Sequence, residues 1–353
     1  MTRTRRTEQV TITASSLRLL RACQRAYDLR YRQGVASIRR APALALGSAA
    51  HAGLEAWWRG RLLSDDDRLA DALEAARRWA TDHAGDVEPA DQMRVDAMLS
   101  MYHARWIGNV NDYETIGVEI EYAAPVIAPD GRRARGVERR GKIDGLVREV
   151  ATGRIYILEH KTTSEQFGPG SPYVERLMLD SQISHYMAGA RALGYEAAGA
   201  LYDVLGKPHA RKLATPAEQR RYTKTGELYA AQRAEDEDLE TYYARICDAM
   251  ASDPDAYFRR MVVVRTEREL AEAQADDWAM LGQIRAAATA GHWPRNPDSC
   301  LRYGARCDYW AICSGQSSAD DVELYQIKRP HAELTQKKTR RQNHSVDAPE
   351  CSE

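Results

Sequence analysis

The fold of this chain is decided by the segment Lys142-Ile-Asp-Gly-Leu-Val-Arg-Glu-Val-Ala-Thr-Gly-Arg-Ile-Tyr-Ile-Leu-Glu-His-Lys161. Both ends of the segment are rich in residues that favour β-strands, and residues 151–154 between them have a composition typical of a turn. The segment therefore predicts an antiparallel β-hairpin.

The register of this hairpin determines which polar side chains meet. With a two-residue turn Asp144 lies opposite Lys161, and a register shifted by two residues places it opposite Glu159. In either register the three residues share one face of the sheet, whereas a three-residue loop would move Asp144 to the other face. The inference of a shared face therefore depends on the turn.

Two carboxylates and an ammonium group on one sheet face pair poorly in an apolar core, but they suit a divalent cation with a bound water molecule. Hard oxygen ligands favour Mg²⁺ or Mn²⁺. Such an ion can stabilise charge on a phosphate, while Lys161 holds or deprotonates the attacking water. The hairpin thus predicts phosphodiester hydrolysis. An exposed Glu159–Lys161 pair is the more common explanation when so short a pattern stands alone.

Two helical segments add candidate site residues. His51 follows a predicted helix start at Gly47-Ser48 and lies on the amphipathic stretch 49–58, where a single histidine is most often structural. Gln182 and Tyr186 are four residues apart, so on a helix they share a face and can reach one site. The alternative is that Tyr186 belongs to the core and Gln182 to the surface.

Together these motifs resemble the PD-(D/E)XK nuclease superfamily, in the branch that contains the RecB nuclease domain, Cas4-like nucleases and related phage exonucleases. The resemblance runs from about residue 15 to residue 313. It implies that Asp144 binds metal and that Glu159 and Lys161 form the second strand motif. Ile143 stands in place of the proline of the family name, which has little chemical consequence because a proline side chain ligates nothing.

The same resemblance assigns roles to the helical residues. It implies that His51 is the additional metal ligand of the RecB-like branch. It also implies that Gln182 and Tyr186 are the Q-x-x-x-Y signature, which helps to position catalytic groups and DNA.

Four cysteines form a second pattern: Cys300, Cys307 and Cys313 are clustered, and Cys23 stands far upstream. The sequence has neither a secretory signal nor a transmembrane run, so we expect a reducing, cytoplasmic location in a bacterial or phage-infected cell, where metal ligation is more plausible than disulfides. Four thiolates can bind a [4Fe-4S] cluster or Zn²⁺, and spacing alone does not separate them.

The resemblance favours the iron–sulfur cluster, because Cas4-like nucleases place one cysteine before the nuclease core and three after it. It implies that the cluster closes the domain as a structural crosslink. In many relatives the first two of the three C-terminal cysteines are closer than Cys300 and Cys307. Zinc, or His292 as a substitute ligand, therefore remains an alternative.

The net charge of −1 is not by itself that of a nucleic-acid binder. A local cluster precedes Asp144, and we expect it to contact DNA phosphates. Its members are Arg132, Arg133, Arg135, Arg139, Arg140 and Lys142. The first predicted helix carries arginines 18, 21, 25 and 30, which could line one DNA-binding groove together with this cluster.

The 353 residues and their periodicity predict an α/β fold with a restriction-endonuclease-like core, in which helices flank a central mixed sheet. The expected divisions are a helical N-terminal part (1–112), the nuclease core (113–290), a cysteine-cluster segment (291–315) that closes the C-terminus, and a partly ordered tail (316–353). Predicted helices cover residues 15–32, 48–59, 65–83, 89–107, 174–193, 227–250 and 267–290, and predicted strands cover residues 113–127, 135–150, 154–161, 198–205 and 258–266.

The sequence therefore predicts a Mg²⁺- or Mn²⁺-dependent deoxyribonuclease, with exonuclease favoured over endonuclease. Its expected substrates are DNA ends or single strands, in recombination, repair, phage replication or CRISPR adaptation. Its expected partners are recombination, helicase or CRISPR-adaptation proteins, and no association with a membrane is expected. The alternatives are a catalytically silent nuclease-like scaffold and a zinc-stabilised DNA-binding subunit.

Overall fold

A six-stranded mixed β-sheet lies at the centre of the protein. The computed structural model describes residues 10–38, 42–60, 64–83, 87–215, 219–229, 232, 234–302 and 305–334. The strands are β1 (Val10–Ile12), β2 (Val35–Ser37), β3 (Tyr113–Ile127), β4 (Arg133–Glu149), β5 (Ile155–Thr163), β6 (Ala197–Gly206), β7 (Phe258–Val263), β8 (Leu301–Arg302), β9 (Ala305–Arg306) and β10 (Tyr325–Ile327). The central sheet has the order β1-β4-β5-β6-β7, and β3 pairs with β4.

Helices flank this sheet, so the predicted α/β architecture is confirmed. They are α1 (Ala14–Ala22), α2 (Gln24–Tyr27), α3 (Pro42–Arg59), α4 (Asp65–Asp82), α5 (Pro89–Trp106), α6 (Pro172–Leu177), α7 (Ser181–Ala192), α8 (Leu239–Ser252), α9 (Glu267–Ala290) and α10 (Trp310–Ser314). Short π- or 3₁₀-helical segments cover Asp28–Arg32, Ile107–Asp112, Pro254–Ala256, Pro297–Ser299 and Ala332–Leu334. None of the helices in the described ranges is long and apolar enough to span a membrane.

The two faces of the sheet carry different hydrophobic clusters. Leu158 packs with Trp57 and Tyr102, from α3 and α5, whereas its neighbour Ile157 packs with Ile183 and other residues of α7. Successive residues of a strand point to opposite faces. The odd-numbered residues at the end of β5 therefore follow Ile157 towards α7, and the even-numbered residues follow Leu158 towards α3 and α5.

The predicted hairpin of β4 and β5 is confirmed, with the second of the two registers. Gly145 pairs with Leu158, and continuation of this register places Asp144 opposite Glu159. Further along β4, Arg139 pairs with Ile12 of β1. Residues 140–144 of β4 thus lie between the strand positions taken by β1 and β5, so the sheet opens at Asp144.

Two helix starts differ from the predictions. The predicted start of α3 at Gly47-Ser48 is wrong, since the helix begins at Pro42 and Ser48 donates to the carbonyl of Leu44 within it. The predicted helix over 227–250 is wrong in its first part. Asp238 caps α8 by accepting from the Thr241 N–H, and the chain before it turns, with Tyr222 bridging Leu228.

Two predicted helices are each divided in two. The helix predicted over 15–32 is interrupted at Cys23, which has an extended backbone with φ −164° and ψ 117°. The helix predicted over 174–193 is interrupted at Asp180, whose side chain accepts from the Gln182 N–H and starts α7. Both interruptions fall on or beside candidate site residues.

The first part of the C-terminal tail adds a strand, since β10 pairs with β2 in an antiparallel register. The basic stretch 337–341 and Cys351 lie outside the described residues.

Packing between α7 and β3 gives a testable stability contrast. A methyl group at Gly189 would lie 2.5 Å from the ring of Tyr122, whereas one at Gly282 would meet none of the described atoms within 4 Å. We expect Gly189→Ala to lower the free energy of unfolding by about 1–3 kcal/mol through overpacking. Gly282→Ala should raise it by up to about 1 kcal/mol, because alanine favours the helix. Urea denaturation checks both, and equal effects of the two substitutions would contradict the packing.

Candidate active site

The catalytic candidates converge where β4 and β5 separate. The backbone N–H of His160 donates to Asp144 Oδ2 at 2.9 Å, which holds the two strand ends together. Lys161 Nζ donates to Glu159 Oε1. The structure thus brings Asp144, Glu159 and Lys161 into one cluster.

Gln182 joins this cluster from α7. Its side-chain oxygen accepts from Lys161 Nζ at 2.9 Å, and its amide nitrogen donates to Glu159 Oε1 at 2.8 Å. The same amide nitrogen lies 2.8 Å from the hydroxyl of Tyr186, one helical turn later. Gln182 therefore fixes the separation of the acid and the lysine, and Tyr186 orients Gln182.

Sequence reasoning missed the groups that hold Gln182. Asp180 Oδ1 accepts from the Gln182 N–H at 2.9 Å, and Asp180 Oδ2 accepts from the Tyr202 hydroxyl at 2.9 Å. Arg18 Nη2 donates to the Gln182 side-chain oxygen at 3.1 Å, and the Arg18 side chain is 64% exposed. An aspartate directly before the Q-x-x-x-Y helix was the available signal for Asp180, because aspartate is a preferred N-cap.

His51 reaches the cluster from α3. Its Nδ1 lies 3.9 Å from Asp144 Oδ2, and its side chain is partly exposed. Partial burial lowers the pKa of His51, and the nearby Asp144 offsets this only in part. The neutral imidazole is the form that ligates metal ions.

The carboxylate of Glu159 is the most constrained group of the site. It is 1% exposed, and among the described residues its Oε2 has no hydrogen-bond partner. Burial, followed by the proximity of Asp144, raises the pKa of the Glu159 carboxyl to about 8. Burial would lower the pKa of Lys161, but Glu159 and Asp144 raise it overall.

A cation at Glu159 Oε2 would satisfy this buried oxygen and favour the ionised carboxylate. Asp144 on β4 and His51 on α3 are the other oxygen and nitrogen donors of the cluster. Within the described ranges, however, no three His, Cys, Asp or Glu side chains are grouped closely enough to hold a metal ion as they stand. The donor types therefore fit a divalent ion, and completing the coordination requires side-chain adjustment.

Comparison with known proteins identifies the family. Residues 11–314 match the PD-(D/E)XK nuclease superfamily. The chain belongs to this superfamily. Membership supports nuclease activity, with DNA as substrate and with the divalent metal ion that such nucleases typically use. A search of curated proteins found no significant match.

One further acid lies beside the nuclease motif. Glu119 of β3 falls between Val118 and Ile120, whose partners on β4 are Gly145 and Ile143, so it lies opposite Asp144. It forms an ion pair with Lys142 and adopts a positive φ of 53°, which is uncommon for a residue other than glycine.

The members of the predicted DNA-contacting cluster, which lie on β4 and directly before it, have different surroundings in the structure. The prediction is wrong for Arg139. This side chain is 4% exposed and donates to Asp277 of α9, so its guanidinium is unavailable to a phosphate. Three other members have carboxylate neighbours, with Arg132 beside Asp130, Arg140 beside Glu121 and Glu138, and Lys142 beside Glu119. Arg133 and Arg135 are exposed.

The four predicted cysteine ligands come from opposite ends of the nuclease domain. Cys23, Cys300, Cys307 and Cys313 line one small pocket, together with Tyr309 and other residues. Burial raises the pKa of the Cys307 and Cys313 thiols. As at the catalytic centre, the thiols do not form a complete metal-binding group within the described ranges.

Proposed function

We propose that this protein is a divalent-metal-dependent deoxyribonuclease that acts mainly as an exonuclease on DNA ends or single strands. The observation that carries the proposal is the buried Glu159 carboxylate, which Lys161 and Gln182 hold beside Asp144. An isolated ion pair on a strand would not require a glutamine from a second element to hold both partners. A silent scaffold would not require these groups at all.

Mg²⁺ or Mn²⁺ would be held by Asp144, Glu159 and His51, and when bound it would supply charge stabilisation and a more acidic water. Lys161 supplies a fixed positive charge, because Glu159 Oε1 and the Gln182 oxygen hold its Nζ in place. In this position Lys161 can hold the attacking water and stabilise negative charge on a phosphate oxygen. Tyr186 fixes the Gln182 amide that sets this arrangement.

DNA contacts are proposed at two places. Arg18 lies against Gln182 with an exposed guanidinium, so it can meet a phosphate next to the bond that is cleaved. Arg135 is nine residues from Asp144 along β4, which corresponds to about 30 Å of extended strand. Arg133 and Arg135 would therefore contact a B-form duplex up to about nine base pairs from the catalytic centre, and an extended single strand fewer nucleotides away.

Such an enzyme would trim DNA during recombination, repair, phage replication or CRISPR adaptation. Its proposed partners are the helicases or recombination proteins that produce open ends, or the CRISPR-adaptation machinery. The RecB/Cas4-like branch fits this role, since the Q-x-x-x-Y helix contacts the catalytic pair.

The nuclease proposal is tested on end-labelled linear, covalently closed circular and single-stranded DNA with Mg²⁺ or Mn²⁺. We expect wild type to degrade linear and single-stranded DNA and to leave closed circles intact. Lys161→Ala should lower kcat by at least about 100-fold, because it removes a group that acts on the transition state. Lys212→Ala is the matched control, since Lys212 bonds the Glu237 carbonyl at a distance from the site. Intact DNA in every wild-type reaction would favour the scaffold, and cleaved circles would favour an endonuclease.

The remote DNA contact is tested by substrate length. We expect Arg133→Ala/Arg135→Ala to raise KM for single strands of about 30 nucleotides and to leave KM for strands of about three nucleotides unchanged, because only the longer strand spans both contacts. The slope of log KM against log salt should fall by about one for each phosphate that the variant no longer binds. Arg285→Ala, which removes an exposed arginine from α9, is the control. An equal rise of KM for both lengths would contradict the remote contact.

We also propose that Cys23, Cys300, Cys307 and Cys313 bind one [4Fe-4S] cluster with a structural role. The proposal is supported by their shared pocket, which joins the break between α1 and α2 to the C-terminal segment. A cluster there would crosslink two parts of the chain that are far apart in sequence.

Anaerobic purification with iron, sulfide and zinc analysis tests this assignment. We expect about four irons and four sulfides per chain, and loss of iron together with a lower thermal midpoint in Cys313→Ser. Cys247→Ser is the control, because Cys247 packs against the core cluster of α5 and α8 instead. Stoichiometric zinc without sulfide would replace the iron–sulfur cluster by a zinc site. A wild-type protein that contains neither metal, together with an unchanged thermal midpoint in Cys313→Ser, would contradict both the cluster and the zinc site.

A further inference from the structure

His160 stands between the catalytic residues Glu159 and Lys161, but its side chain points to the opposite face of the sheet. There it is 3% exposed, and its Nδ1 lies at an ion-pair distance of 3.2 Å from Asp203 Oδ2 of β6, without the geometry of a hydrogen bond. The nuclease motif assigns no role to this position. Its surroundings nevertheless form an ordered set of polar contacts.

These contacts follow a row across three neighbouring strands. His160 is the direct partner of Asp203 in the register of β5 and β6, and Asp203 is the direct partner of Arg260 in the register of β6 and β7. Direct partners lie on the same face of a sheet, so the three side chains are adjacent. Arg260 Nε donates to Asp203 Oδ1 at 3.2 Å.

Tyr102 of α5, a helix that packs on this face of the sheet, contacts two members of the row. Its hydroxyl donates to Asp203 Oδ2 and accepts from Arg260 Nη2 at 2.9 Å and from Trp58 Nε1 at 2.9 Å. Asp203 is 0% exposed, so each carboxylate oxygen is fixed in direction by buried donors. Burial would raise the pKa of Asp203, but Arg260, His160 and Tyr102 lower it to about 2.

His160 connects this row to the catalytic centre through its backbone. Its imidazole lies against Asp203 on one side, while its N–H donates to Asp144 Oδ2 at 2.9 Å on the other. The peptide that bears this N–H also joins His160 to Glu159. A shift of the His160 backbone after loss of the Asp203 contact would therefore disturb both carboxylates that are proposed to hold the metal ion.

We infer that Asp203 is a positioning residue for the metal-binding carboxylates and that it acts through His160. The inference deepens the proposed function and rests on it. Groups that orient metal ligands commonly change metal affinity or activity by 10- to 100-fold when they are removed. A merely structural ion network would change stability and leave metal affinity unaltered.

The test compares Asp203→Asn with Asp96→Asn. Asp96 is also a buried aspartate bonded to an arginine, but it lies on α5, and its hydrogen-bond donors Arg77 and Gln92 are on α4 and α5. Free Mn²⁺ is measured by electron paramagnetic resonance in titrations of the full-length protein, at a temperature where circular dichroism shows that both variants are folded. We expect the Kd for Mn²⁺ to rise about 10-fold or more in Asp203→Asn and to be unchanged in Asp96→Asn.

Two further variants keep the inference testable if Asp203→Asn does not fold. Tyr102→Phe removes one donor to Asp203 and preserves the ring, so it should shift the Mn²⁺ curve in the same direction by a smaller factor. His160→Ala should itself raise the Kd for Mn²⁺, because it removes the side chain that joins Asp203 to the metal-binding strand. Adding Tyr102→Phe to His160→Ala should produce no further change of this Kd if the effect passes through His160.

An unchanged Mn²⁺ curve in folded Asp203→Asn or Tyr102→Phe would overturn the inference. So would equal shifts in Asp203→Asn and Asp96→Asn, or additive effects of His160→Ala and Tyr102→Phe. The Mn²⁺ titration does not depend on cleavage. A wild-type protein that binds Mn²⁺ but leaves DNA intact would therefore contradict the proposed function and not the positioning role.

Discussion

The burial of one carboxylate, that of Glu159, is the constraint on which the catalytic centre depends. An ionised carboxylate without partners is costly inside a protein, so its surroundings must supply positive charge or hydrogen-bond donors. Lys161 and Gln182 serve one oxygen, and the other has no partner among the described residues. Gln182 must then be held in turn, which Asp180 achieves by starting α7 and Tyr186 achieves one turn later. The positions of β5 and α7 thus follow from the requirement to compensate one buried group.

The strand that bears Glu159 is fixed on both of its faces, and each face has a different task. The odd-numbered residues meet α7 and carry the chemistry. The even-numbered residue His160 meets Asp203, which is paired with Arg260 and with Tyr102. Buried ionic networks need not stabilise a fold relative to an apolar core, but donors to both oxygens of one buried carboxylate restrict its direction strongly. A strand with the proposed metal-binding role requires restricted direction more than it requires additional stability.

Much of this arrangement could be predicted because it is encoded locally. The strand alternation of β4 and β5 and the four-residue spacing of Gln182 and Tyr186 are read from neighbouring residues. The burial of Arg139 could not be predicted, since its partner Asp277 is 138 residues away in sequence. The contact of His160 with Asp203 depends in the same way on the register of two strands. The breaks at Cys23 and Asp180 were missed because hydrophobic periodicity continues through them while the backbone does not.

The distribution of charge explains how a chain of net charge −1 can present positive surface to DNA. Most cations that precede Asp144 on β4 already have carboxylate neighbours, and exchanging such a neighbour for a phosphate changes the free energy little. Some of the acidic residues that bring the net charge near zero are therefore the same residues that neutralise the cations of β4. Exposed positive side chains lie at two places. Arg18 is exposed at the catalytic centre, although Asp180 Oδ1 lies 3.9 Å from its guanidinium, and Arg133 and Arg135 are exposed far from Asp144 along β4. Under the proposed function, a substrate would gain affinity from both places only when it is long enough to span them, which would favour a long DNA strand over a short fragment.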